Sequence, residues 1–199
     1  MESGRERVDR EAGVVGEVGV VGDAGVGGEV GVGWRAELIA GSNGKGMAGV
    51  KMESRSYFAY GSNMGEAQMR LRCSAAVPVC TATLSGYRFI INKRGVATVV
   101  PSTESQVHGL LWSLAEADER ELDQYEGVGH GTYTKDELSV MTASGDRISA
   151  LVYVAANPVE GVARPGYVEG ILDAAARLSF PTEYQKELKQ WLSTDESPS

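Results

Sequence analysis

Apolar positions between residues 55 and 192 come first as short dense runs and later at helical spacing. The run Tyr57-Phe58-Ala59-Tyr60 predicts a strand that stops at Gly61-Ser62-Asn63, ahead of a helix carrying Ala67, Met69 and Leu71. Four β-rich runs follow, Val79–Leu84, Tyr87–Ile91, Val96–Val100 and Val107–Trp112, separated by turn signals at 85–86, 92–95 and 101–104. Links this short between consecutive strands predict antiparallel pairing. Ser113, with Glu116 three residues on, predicts the start of a helix through Leu114, Ala117, Leu122 and Tyr125 that Gly127 stops. Two longer strands are expected at about 132–142 and 147–155, joined by the turn Ala143–Asp146. The final third is helical. Pro165 suits a first turn ahead of Tyr167, Ile171, Leu172, Ala175 and Leu178, and Pro181 precedes Tyr184, Leu188, Trp191 and Leu192. Strand and helix, then strands, helix, hairpin and two helices describe an α+β domain rather than an alternating doubly wound one.

The first strand-to-helix corner carries candidate chemistry. Asn63 and Glu66 have the spacing of a capping box, and Gly61 allows a tight turn that a Cβ would obstruct. Unpaired N–H groups and the positive end of a helix dipole suit a carboxylate or a developing oxyanion. The same residues are also an ordinary way to turn a corner. Glu126 is the second candidate. It lies at the C-terminal end of its helix, where the partial negative charge disfavours an anion, so its pKa should be raised toward that of a base working near neutrality. A solvated carboxylate near a helix end is the plainer alternative.

Residues 1–54 read differently. From Glu11 to Gly33 every residue is Gly, Val, Glu, Ala or Asp, and GEVGV occurs at 16–20 and again at 28–32. Glycine at this density, with Val at no steady period, predicts a disordered low-complexity segment ahead of a domain at 55–193, with a tail at 194–199. Met52, just before the first strand, is an alternative start. Gly25-Val26-Gly27 does not complete a dinucleotide-binding fingerprint, and Gly44-Lys45-Gly46 lacks the Ser or Thr of a phosphate loop.

Charge and cysteine content narrow the partners. Lys and Arg number 19 against 27 Asp and Glu, a net charge of −8, which argues against nucleic acid and anionic membranes. No apolar run is long enough to span a bilayer, and the charged N-terminus is no signal peptide, so a cytoplasmic location is expected. Cys73 and Cys80 are then expected as reduced thiols. With His108 in an alternating strand and His130 in a glycine-rich loop, they match no metal-ligand spacing, so no metal is expected.

Four stretches in order, YFAYGSN (57–63), VHGLLW (107–112), LDQYEGV (122–128) and PGY (165–167), resemble the γ-glutamylcyclotransferase family across residues 55–192. The resemblance implies a small mixed β-barrel with helices packed around it. It also implies an enzyme without cofactor that cyclises a small-molecule γ-glutamyl amide to 5-oxoproline and releases the amine. It puts the family's catalytic glutamate at Glu126, its substrate-binding run at Tyr57, Phe58, Ala59, Tyr60, Gly61 and Ser62, and its closing tyrosine at Tyr167. Ala163-Arg164-Pro165-Gly166 stands where some members have a serine-containing run, which leaves open which amine departs. A binding module that kept the pocket without turnover is the alternative reading, and whether the protein is a monomer or a homodimer is open.

Overall fold

The computed structural model describes residues 54–192. The low-complexity reading of residues 1–54 lies, all but its last residue, outside the described residues, as do the alternative start at Met52 and the tail at 194–199.

Five strands close into a barrel in the order β1-β3-β2-β4-β5. They are β1 (Arg55–Ala59), β2 (Val77–Ile91), β3 (Ala97–Leu114), β4 (Tyr133–Thr142) and β5 (Arg147–Ala155). Neighbours run antiparallel except β1 and β5, which meet in parallel at Tyr57 and Leu151 and close the ring. Helices α1 (Glu66–Arg72), α2 (Glu116–Glu126), α3 (Tyr167–Arg177) and α4 (Thr182–Lys189) complete the expected α+β barrel. Among the described residues no helix is long and apolar enough to cross a membrane, and Cys73 and Cys80 are both free thiols.

Two turn signals turn out to be irregularities within strands. Gly86, at φ +81°, lets β2 kink without ending, and the register jumps from Ser85 opposite Gln106 to Tyr87 opposite Pro101. Four short strands are therefore two long ones, β2 and β3, and Ser102–Ser105 bulge opposite Gly86. The turn at 92–95 does reverse the chain, with Gly95 N–H donating to Asn92 O at 2.8 Å.

Three helix starts also differ from the sequence reading. Helix α1 begins after Gly65, and Asn63 is buried instead of capping it. Ser113 pairs with Ser56 inside the barrel, so the cap of α2 shifts to Ala115, whose N–H donates to Asp118 Oδ2 at 3.4 Å. Pro165 precedes α3 as part of a turn: Tyr167 N–H donates to Arg164 O at 3.1 Å, with Gly166 at φ +74°. Proline second and a left-handed glycine third are the requirements of a type II turn, which delivers Tyr167 at the first position of α3.

The core places the strand that carries the site. Phe58 is fully buried, and β3 crosses it at Gly109, where a Cβ would fall 2.6 Å from the Phe58 ring and collide with Ala59 O. Glycine is required there for space. Around the barrel, Val168, Ile171, Ala174 and Ala175 of α3 are buried, as are Tyr184 and Leu188 of α4. Tyr167, Leu172 and Leu178, expected on the buried face of α3, are half-buried against that core.

Candidate active site

Between β1 and α1 the chain makes a single 3-10 turn over Ser62–Met64, in which Met64 N–H donates to Gly61 O (3.0 Å) and Gly65 N–H to Ser62 O (3.2 Å). Those bonds leave the N–H groups of Gly61, Ser62 and Asn63 outside the turn's own ladder. Gly61 has φ −115°, which other residues can adopt, so its contribution is room: a Cβ would lie 3.2 Å from Ala97 Cβ and 3.3 Å from Tyr167 Oη.

Glu126 is the last residue of α2, and the left-handed Gly127 (φ +67°) turns the chain away behind it. Its half-buried side chain opens on a cavity of about 380 Å³ that also carries Tyr57, Tyr60, Gly61, Ser62 and Tyr167. Six of the eight sequence candidates thus share one hollow, although helix end and glycine loop are far apart in sequence. Phe58 and Ala59 do not line it. They are core residues that hold β1 in register against β3, where Phe58 faces Leu111 and Ala59 faces Leu110. Side chains alternate along a strand, so a contiguous run cannot all face one pocket.

The residue missed by sequence reasoning is Asn63. Its Nδ2 donates to Tyr57 Oη at 2.7 Å and to Glu126 Oε1 at 3.1 Å, and its Oδ1 accepts from Arg72 Nη1. The Asn-x-x-Glu spacing that signals a cap is here produced by a buried ligand of the site. Arg72 also went unremarked, because a basic residue in the last turn of a helix is common on helix-dipole grounds alone. It donates to Ser62 Oγ at 3.4 Å and to the Tyr125 hydroxyl, and lies over the Tyr125 ring. Tyr133, Tyr153, Arg94 and Arg164 also line the cavity. The neighbourhoods of Tyr133, Tyr153 and Arg94 carry no signal beyond strand and loop, whereas Arg164 stands in the Ala163–Gly166 run whose departure from the family pattern marked it out.

Electrostatics separate the roles of these groups. Burial raises the Glu126 pKa, and the Arg72 charge and the Asn63 hydrogen bond partly oppose it. Tyr57, Tyr60, Tyr133 and Tyr167 are all raised, burial being the first cause in each, so the phenols stay protonated. Tyr60 donates to Tyr153 O (2.5 Å) and Tyr133 to Ala97 O (2.8 Å). Tyr167 Oη accepts from Ala97 N–H at 3.1 Å. Tyr57 Oη, already an acceptor from Asn63, keeps its proton for another partner. Among the described residues no three His, Cys, Asp or Glu side chains gather as a metal site. The cavity therefore gathers a shielded carboxylate, neutral hydroxyls, the guanidinium groups of Arg72, Arg94 and Arg164 and the glycine loop, a set that can move a proton and hold an anion.

Residues 57–170 match the family described as γ-glutamyl cyclotransferase, AIG2-like. The chain belongs to that family. The matched span begins at Tyr57 and ends just beyond Tyr167, so it contains the whole cavity lining. Relatives named γ-glutamylcyclotransferase agree: the mouse protein is 32% identical over 161 residues, covering 76% of this chain and 86% of its own length. The human protein is 31% identical with the same coverage. A solved structure titled γ-glutamyl cyclotransferase superposes with a TM-score of 0.68 at 30% identity, over 74% of this chain and 93% of its own. The γ-glutamyl cyclotransferase barrel of this chain is therefore a family feature, and the relatives' names support an enzyme of that type.

Proposed function

We propose that this chain converts a γ-glutamyl amide to 5-oxoproline and a free amine, with Glu126 as the group that takes and returns the proton. The observation that carries this is the placement of a shielded carboxylate and the Tyr60-Gly61-Ser62 loop on one cavity, joined through Asn63. The substrate's own α-amine attacks its γ-carbonyl, forming a C–N bond that closes a five-membered ring. No protein nucleophile is required, and orientation supplies much of the rate because attack is intramolecular. Glu126 removes one proton from the α-ammonium, the negative charge on the tetrahedral oxygen meets loop N–H groups, and Glu126 gives that proton to the departing nitrogen as the old C–N bond breaks, then passes the ring nitrogen's second surplus proton to the freed amine, which leaves as an ammonium. A base with a raised pKa suits both steps, since it must hold the proton between them.

The leaving group follows from charge. Arg55, Arg70, Arg88, Arg120 and Arg177 each sit within 4.0 Å of a carboxylate, whereas Arg72, Arg94 and Arg164, which line the cavity, are in no such pair among the described residues. Against one Glu126, three guanidinium groups favour a substrate with two carboxylates, which a γ-glutamyl amino acid has and a γ-glutamyl alkylamine lacks. The test is 5-oxoproline release from matched γ-glutamyl amino acids and γ-glutamyl amines. Higher kcat/KM on the amino acids is expected, and Arg164→Gln should narrow the gap. Binding of these compounds without 5-oxoproline release would leave only a binding module.

A further inference from the structure

We infer that Asn63 is a positioning residue for Glu126, holding carboxylate oxygen Oε1 so that the working proton is carried on Oε2, with Arg72 fixing which way the amide faces. This rests on Glu126 being the acid–base group. Arg72 has only donors, so the Asn63 oxygen must face it, and the amide nitrogen must then face Tyr57 and Glu126. Both amide protons are committed, one to Tyr57 Oη at 2.7 Å and one to Glu126 Oε1 at 3.1 Å. An oxygen already accepting a hydrogen bond is the poorer site for a proton, which leaves Oε2 to receive it from the α-ammonium and deliver it to the departing nitrogen. Asn63 is buried, and its three contacts come from β1, α1 and α2, so the carboxylate is tied to the barrel and to the glycine loop together.

The consequences reach the pH dependence. The groups whose charge or hydroxyl faces Glu126 are Arg72 from α1, Tyr57 and Tyr60 from β1 and its loop, Tyr133 from β4 and Tyr167 from α3. All the tyrosines stay neutral through the working range, so Arg72 and the Asn63 amide are what favour the ionised carboxylate. Removing the amide donor should therefore move the acid limb of the rate profile to higher pH.

The experiment compares wild type, Asn63→Ala, Asn63→Asp and Glu126→Gln in pH–rate profiles with a γ-glutamyl amino acid. Both Asn63 variants should lose roughly 10- to 100-fold in kcat with KM little changed, as misplacement of a catalytic group does. Their acid limbs should lie at higher pH, that of Asn63→Asp highest because an anion then faces Glu126. A merely structural role would reduce the folded fraction and leave the limb where it is in wild type, and that result overturns the inference. Asn63 can also be followed in the wild-type fold, through the pH dependence of its ¹⁵N-labelled side-chain amide. Those resonances should titrate in step with the acid limb, and their titration should vanish in Glu126→Gln. Amide resonances indifferent to pH would overturn the inference too. If Glu126→Gln turns over normally, the acid–base reading itself fails, which is distinct from an inactive Glu126→Gln with an unmoved limb in the Asn63 variants.

Discussion

Arg72 lies over the ring of Tyr125, its guanidinium carbon 3.5 Å from the ring centroid, and so fastens the last residue of α1 to the last turn of α2 beside Glu126. An exposed cation–π contact is worth only about 0.5–1 kcal/mol. Its importance here is geometric, because the same guanidinium grips Asn63 and lies close enough to lower the Glu126 pKa.

Tyr125→Ala is accordingly expected to cost no more than about 1 kcal/mol in denaturant unfolding while reducing kcat several-fold. Arg72→Met should go further and shift the acid limb to higher pH, because the positive charge that favours ionised Glu126 is gone. Unfolding curves and steady-state kinetics check both. An unchanged limb in Arg72→Met would mean that its charge does not reach the carboxylate.

Gly61→Val should damage turnover more than folding. A Cβ at Gly61 already lies 3.2 Å from Ala97 Cβ and 3.3 Å from Tyr167 Oη, and two further methyls would enter the cavity. A large rise in KM and a fall in kcat are expected, with melting temperature changed far less. Full activity with unchanged substrate affinity would reduce the loop to a simple corner.

Gly109→Ala makes the opposite case. Its Cβ would sit 2.6 Å from the Phe58 ring and collide with Ala59 O, both in a barrel already closed. Overpacking of this kind costs about 1–3 kcal/mol or more. A clear drop in Tm is expected, with kcat per folded molecule little changed. The pair of glycine variants separates room for a ligand from room for a neighbouring strand.

Much of this was legible in the chain because local signals and tertiary outcome agree. Gly127 stops α2 in a left-handed conformation, which leaves Glu126 at the helix end where its spacing put it. The hairpin of β4 and β5 and the start of α4 after Pro181 follow their turn chemistry directly. The failures share one cause, a local pattern with two physical solutions. Gly86 can reverse a strand or kink it, and only pairing along the rest of β3 decides for the kink. Asn63 can cap a helix or enter a cavity, and the choice depends on Tyr57, Arg72 and Glu126, the last of which lies 63 residues away. Phe58 and Ala59 belong to the same run as Tyr57, yet the barrel turns them into core.

The most direct test is the pH–rate profile of Glu126→Gln beside wild type, with substrate binding measured by calorimetry. Glutamine keeps the shape and can still bond to Asn63 but cannot accept the proton, so binding should persist while 5-oxoproline release falls by ~10²- to 10⁴-fold. Burial raises the Glu126 pKa, so wild-type activity should decline toward acid at a pH above that of an ordinary exposed glutamate. Any residual rate of the variant should lack that limb. Near-normal turnover in Glu126→Gln, or an acid limb identical to wild type, would remove Glu126 from the chemistry.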